Sequence, residues 1–380
     1  MGADHTGLRR SRQLKASMFL ARHALHRYRL PYARAVRWSD IVEDGADFVL
    51  LHLESDTGHE GVAESVLKPT WNGASARSIA AALEDLLLPL LLNVDISDPQ
   101  QVSDRLASIP GHQAAKTLLD NALWDLHASA GGKPLWKLWE GTNAVAVSWV
   151  LTRQSPALMA REAADMVDRF GFGTLKIKGG QGLATDVAAL HEVAAAVGSS
   201  VRLYVDANAA YPPHEAPHYM RALCEAGAVA VEDPCALVPG NAFQRLQQDV
   251  PVPVLVDFGC ESPRDAALFI ERGAKALSLK PGRLGLSASR TMGRLLEDAG
   301  GLAVVGMFGE SALGTVTALS LAATLPHSSL AAETTWFLSM TQQILDLPAI
   351  SCGELSLPDT PGMARHVDWE RLEYLKSHQS

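Results

Sequence analysis

The feature that most constrains this chain is a repeat spacing. From about residue 146 onward, short apolar runs recur: VAVSWVL, GTLKIK, VRLYVDAN, AVAVED, VPVLVD, KALSLK, GLAVVGM and a weaker SSLAAE, each ending near a polar residue. The steps from Lys178 to Asp206, Glu232, Asp257 and Lys280 are 28, 26, 25 and 23 residues, which suits one strand, one helix and two loops. Stretches of helical period such as ATDVAALHEVAAAVG and SPRDAALFIERGA fill the intervals, several closed by a glycine of the kind that caps helices. The repeat predicts an α/β fold with about eight strands, a (β/α)8-type, TIM-like barrel.

In such a barrel the C-terminal ends of the strands line the mouth. Those positions here carry Lys176, Lys178, Asp206, Asn208, Glu232, Asp257 and Lys280, with Glu310 just after the seventh strand. Any one of them alone reads as an ordinary strand-end charge, but five consecutive strands repeat the pattern in register. Lys176 and Lys178 stand two apart in one strand, so they share a face while Leu175 and Ile177 take the other. Two ammonium groups held that close call for a chemical reason. Asp206, Glu232 and Asp257 are hard oxygen ligands on adjacent strands, suited to Mg²⁺ or Mn²⁺. A lysine acting as a base must give up its proton near neutral pH, and neighbouring positive charge favours that.

Composition narrows the partner. With 47% hydrophobic and 20% charged residues and a net charge of -9, the chain lacks the basic stripe of a nucleic-acid binder, and a small molecule is expected. Four scattered cysteines, Cys224, Cys235, Cys260 and Cys352, fit neither a zinc site nor a disulfide framework, which points to a cytoplasmic setting. Arg9-Arg10-Ser11-Arg12 could open a twin-arginine signal, but Arg22, His23, His26 and Arg27 interrupt the following apolar stretch. Residues 1–16 are therefore expected to be a loose tail, and no membrane span is expected.

The ordered set KIK, DAN, EDP, an aspartate after PVLV, and SLKPGRLG resembles the enolase superfamily, in its muconate-lactonizing (muconate cycloisomerase) subgroup. Residues 115–141 are similar to the helix that links that family's capping domain to its barrel. Residues 50–65 are similar to the capping domain's hairpin, and residues 357–368 to the tail that returns to it. The resemblance implies a modified barrel over 143–355, an α+β N-terminal capping domain over 17–142, and a returning C-terminal segment over 356–380. It also implies Asp206, Glu232 and Asp257 as Mg²⁺ ligands, Lys178 and Lys280 as an acid/base pair on opposite faces of a carboxylate substrate, and Lys176 as their electrostatic helper. The expected chemistry is abstraction of an α-proton through a metal-stabilised enediolate. Asn208 and Glu310 would touch substrate, support the ligands, or be structural. A homo-oligomer is expected on the resemblance alone.

One departure concerns the third ligand. The family usually follows it with Glu-Ser, whereas here the run is Asp257-Phe258-Gly259-Cys260-Glu261-Ser262-Pro263. Matching Ser262-Pro263 keeps Asp257, with Glu261 as the alternative. Substrate choice in the family lies in capping loops and the end of the eighth strand, here residues 30–40, 67–75 and 332–340, where Trp71 and Trp336 are either aromatic walls for a substrate or packing. Dipeptide epimerases of the subgroup carry an Asp-x-Asp after the last strand, and AETTWFL has none. Racemisation or epimerisation, cycloisomerisation, and β-elimination of the succinylbenzoate-synthase or dehydratase kind share the first half-reaction. The intact lysine pair favours an isomerase, and a catalytically silent binding barrel is the alternative of another class.

Overall fold

The protein is described here by a computed structural model covering residues 17–38, 41–325, 330–346 and 348–377. The tail expected over 1–16 lies outside the described residues. The first layer is an antiparallel sheet of β1 (Leu20–Arg37), β2 (Val42–Ser55) and β3 (Glu60–Val66), in that order. Alternation in FVLLHL sends Phe48 and Leu50 to one face and Val49, Leu51 and Leu53 to the other, and both faces are covered. The helix Gln113–Ala130 lies across β3 with twelve buried residues, as expected of a helix that is apolar nearly all round. Its close approach depends on Gly61, where a Cβ would come within 2.4 Å of the Leu126 nitrogen and 2.5 Å of the Ala122 oxygen.

After β4 (Ala144–Ala146) come seven parallel strands: β5 (Trp149–Leu151), β6 (Thr174–Lys178), β7 (Arg202–Asp206), β8 (Val231–Glu232), β9 (Val254–Val256), β10 (Ala276–Leu279) and β11 (Leu302–Val305). They pair in sequence order with helices between them, as right-handed βα units require. Among the described residues the eighth run forms no ladder of its own. Ala332 donates to the Ala146 oxygen and accepts from the Ser148 N–H, while Glu333 donates to the Val305 oxygen, so this short segment closes the ring between β5 and β11. Tyr204, Ala230, Leu255, Ala276, Val304 and Leu330 form a buried cluster of their own, the packed layer that makes such a barrel a core rather than a pore.

The chain then pairs β12 (Ile350–Ser351) with β13 (Glu354–Ser356), and β13 with β4. The last helix, Trp369–Ser377, returns to the first sheet, where the Trp369 ring meets His26 and His52. Hydrogen-bonding residues of the Gln113–Ala130 helix tie the layers together, Gln113 and Thr117 donating to the Leu284 and Arg283 carbonyls. Asp120 and Trp124 bond Ser287, and Asn121 donates to the Pro281 oxygen and accepts from the Leu286 N–H. Asp125 accepts from the N–H groups of Val62 and Met363.

Candidate active site

Strand register places the charges. Lys178 stands beside Asp206 and Asp206 beside Glu232, while Lys176 stands beside Tyr204. Glu232 also pairs with Leu255, so two residues further on Asp257 comes to the same interior side. All three carboxylates are fully buried, and Lys176, Lys178 and Lys280 are nearly so. The structure thus brings together six of the eight strand-end residues that the repeat singled out.

Each lysine meets a carboxylate. The Lys178 ammonium donates to Asp206 Oδ2 at 2.6 Å and to Asn208 Oδ1 at 3.2 Å. Lys280 donates to Asp257 Oδ2 at 2.5 Å. Lys176 donates to Glu232 Oε2 at 2.6 Å and forms an ion pair with Asp206 Oδ2 at 3.0 Å. Burial opposes these charges, but the carboxylates outweigh it and hold the Lys176 ammonium well above the ordinary lysine value, with Lys280 raised by Asp257 and Glu232. In return, and against burial, Lys176 and Lys178 hold Asp206 far below the carboxylate range, while Lys280 and Arg283 bring Asp257 to about 2. Glu232 goes the other way, because burial and the Asp206 charge outweigh Lys176.

Several members of the cluster were not singled out in the sequence. Glu333 accepts from Lys176 at 3.0 and 3.1 Å, from the Tyr204 hydroxyl at 2.5 Å and from the Met307 N–H at 3.1 Å. Its signal was present, since it ends the weak eighth run. Arg283 lies 3.0 Å from Asp257 Oδ1 and donates to the Asp257 and Cys260 carbonyls. Asp233, raised by burial and Asp257 to about 7, accepts from the N–H groups of Asp257 and Phe258. Nothing local in EDP distinguishes Asp233 as a loop support.

The departure after Asp257 has a structural reading. A Cβ at Gly259 would stand 2.5 Å from the Leu237 carbonyl oxygen, so the loop passes where only glycine fits. The Phe258 ring lies 5.8 Å from the Lys280 ammonium and 5.5 Å from the Arg283 guanidinium, within cation–π range. Glu261 is exposed and its N–H donates to Asp265 at the start of the helix Pro263–Glu271, whereas Asp257 sits in the buried cluster.

Glu310 is buried beside the mouth. Its Oε2 accepts from the Phe308 and Gly309 N–H groups, its Oε1 has no hydrogen-bond partner among the described residues, and burial pushes its carboxyl to about 7. Trp71 is half-buried, edge-on to Phe258 and tilted against Phe308. For Trp336 the geometry favours the packing alternative. It is 1% exposed, stacked on Trp149 at 5.4 Å and packed against Trp38 and Tyr32, so it fills the junction between β1 and the barrel instead of standing as a wall open to a ligand.

Among the described residues no three Asp, Glu, His or Cys side chains converge as a finished metal cage, because ammonium groups stand among the three carboxylates. The donor set nevertheless fits a hard divalent cation: three buried carboxylates on adjacent strands, with Glu232 Oε1 making no hydrogen bond. Among the described residues no helix is long and apolar enough to cross a membrane.

Comparison with known proteins agrees with this geometry. Residues 158–371 match the family described as enolase C-terminal domain-like, and residues 28–139 match the mandelate racemase / muconate lactonizing enzyme N-terminal domain. The chain is 30% identical over 248 residues to an L-Ala-D/L-Glu epimerase of Clostridium acetobutylicum, covering 64% of this chain and 68% of that one. It is 28% identical over 359 residues to a chloromuconate cycloisomerase of Cupriavidus necator, covering 91% and 95%. Among solved structures, muconate lactonizing enzyme from Pseudomonas fluorescens complexed with muconolactone superposes with a TM-score of 0.88 at 26% identity, covering 95% of this chain and all of that one. With its barrel and its N-terminal layer both matched, the chain belongs to the mandelate racemase / muconate lactonizing enzyme family of the enolase superfamily.

Proposed function

We propose that this protein is an isomerase that moves the α-proton of a small carboxylate substrate, with Lys178 and Lys280 as the proton-transferring groups and Asp206, Glu232 and Asp257 as the holders of a divalent cation, Mg²⁺ or Mn²⁺. The observation that carries the reading is the pair of buried lysines on β6 and just after β10, each hydrogen-bonded to a different carboxylate, with Glu232 on the strand between those carboxylates. When bound, the cation supplies positive charge that offsets the second negative charge developing on the substrate carboxylate as it becomes an enediolate.

The chain's own residues do the rest. The α-proton passes to the neutral amine of one lysine, and the electron pair it leaves enters the carboxylate. Return of a proton from the opposite lysine inverts the carbon. In a cycloisomerisation the enolate would arise instead as an oxygen of a second substrate carboxylate adds to the conjugated double bond and pushes its π pair toward the first carboxylate, and one lysine then delivers a proton to the α-carbon. Lys176, kept charged by Asp206, Glu232 and Glu333, favours anions at the mouth and opposes protonation of Lys280.

Cycloisomerase-like chemistry is favoured over dipeptide epimerisation. The chloromuconate cycloisomerase is matched along nearly its whole length. Moreover, Glu333, the carboxylate ending the last run, is already engaged by Lys176, Tyr204 and Met307, which leaves it unsuited to grip a substrate amino group.

The test is deuterium uptake in D₂O with Mg²⁺ across muconates, N-acylamino acids, dipeptides and succinylbenzoate precursors, followed by NMR and mass spectrometry. Exchange at an α-carbon, or deuterium incorporated into a lactone, is expected to fall by at least about 100-fold in Lys178→Ala or Lys280→Ala, the usual scale of a lost acid/base group. Undiminished turnover in either variant would sink the two-lysine assignment.

A further inference from the structure

Lys178 and Lys280 are not held alike. The Lys178 ammonium has two acceptors, Asp206 and Asn208, whereas the acceptor of Lys280 among the described residues is Asp257. A lysine side chain has wide rotamer freedom, so a single hydrogen bond leaves its direction to be fixed by whatever its stem lies against.

That stem lies against bare backbone. β10 and β11 run parallel, with Ser278 beside Val304 and Leu279 beside Val305, and the Gly306 N–H continues the ladder to the Leu279 carbonyl. Lys280 and Gly306 are the next residues in register, on the same side as Ser278 and Val304. A Cβ at Gly306 would stand 2.7 Å from Lys280 Cε and 3.1 Å from Lys280 Cγ, and it would also strike Ser278 Oγ. Gly306 does not adopt a left-handed φ, so its backbone suits any residue, and what glycine supplies there is room. Lys178, Asp206, Glu232, Asp257 and Lys280 stand at the ends of β6 to β10. The matching place after β11 carries no side chain, and the Lys280 stem occupies the gap.

The backbone around this gap is pinned. Before Gly306, the Val305 carbonyl accepts from the Glu333 N–H, and after it the Met307 N–H donates to the Glu333 carboxylate. A methyl added at Gly306 is therefore relieved by movement of the lysine stem, which carries the ammonium away from Asp257.

We propose that Gly306 is a positioning residue for Lys280, its missing side chain forming the groove that aims the Lys280 ammonium; the inference rests on the assignment of Lys280 as a proton-transferring group given above. Misplacing a reacting group by about 1 Å costs on the order of 100-fold in rate. Gly306 offers no side-chain group to a substrate, so its effect belongs in kcat and not in KM.

The experiment compares the wild type with Gly306→Ala, Ser278→Ala and the double variant in Mg²⁺, using the carboxylate of the panel above that undergoes exchange. Gly306→Ala is expected to lower kcat about 10- to 100-fold and leave KM within about threefold. Crystal structures of the Mg²⁺-loaded wild type and variant should show the Lys280 ammonium moved by at least about 1 Å. Adding Ser278→Ala removes the clash with the hydroxyl, so the double variant should regain stability in urea without regaining kcat, and it carries the test if Gly306→Ala alone does not fold. A merely structural glycine predicts instead that kcat per folded molecule stays at the wild-type value, or returns together with stability. Either result overturns the inference, as does a Lys280 ammonium that keeps its wild-type place in the variant crystal. Failure of the isomerase reading has a separate signature: the wild type then exchanges no member of the panel, while the two crystal structures still report whether Gly306 aims Lys280.

Discussion

At the residue scale, the site is a balance of buried charge in which each group is tolerated because of its neighbours. Lys176, Lys178, Lys280 and Arg283 face Asp206, Glu232, Asp257 and Glu333, and removing one member leaves another uncompensated. Asp206 is the hinge of that balance, since both Lys176 and Lys178 contact its Oδ2. Asp206→Asn keeps the shape and removes the charge. It is expected to weaken Mg²⁺ binding by at least about tenfold, the scale of one lost charged contact, as measured by titration calorimetry. An unchanged isotherm would remove Asp206 from the ligand set. Reading single residues from sequence succeeded for the strand-end charges, whose position follows from the repeat. It left Trp336 open between wall and packing, because an aromatic residue after the last strand has the same local appearance whether it faces a ligand or three other rings.

At the scale of elements, the loops after β8 and β9 support each other. Asp233, after β8, holds the N–H groups of Asp257 and Phe258, and Gly259 lets the same loop pass against the Leu237 carbonyl. Gly259→Ala is expected to destabilise the fold by about 1–3 kcal/mol, because the atom it would strike belongs to backbone and cannot swing aside. Urea denaturation checks this, and a midpoint equal to that of the wild type would show that the loop has room. The βα repeat was legible because strand and helix periods alternate at near-constant spacing. The eighth element was the weakest in the sequence and is also irregular in the structure, since its few backbone groups are divided between β11 and the segment around β4 and β5. A pairing of that kind has no sequence period.

At the scale of the whole molecule, the helix Gln113–Ala130 joins the N-terminal layer to the loop that presents Lys280. Asn121 is a link on both sides of that loop, bonding the Pro281 carbonyl and the Leu286 N–H on either side of the turn Pro281–Leu284. Asn121→Ala should cost about 1–3 kcal/mol for the two buried groups left without partners. It should also lower kcat more than it raises KM, because Lys280 loses its support while the rest of the mouth is intact. A Tm drop with unchanged kcat would separate the helix from the chemistry.

The sequence by itself determined the barrel, its charged mouth and the family, because strand spacing and the residue types at strand ends are local properties that a periodic chain writes out in order. Only the tertiary structure decided which charges neutralise which, that Glu333 completes the cluster and that Trp336 is packed among other rings. Each of these depends on groups distant in sequence meeting in a desolvated interior, where the strength of an interaction is set by what surrounds it and not by the residues that precede and follow it.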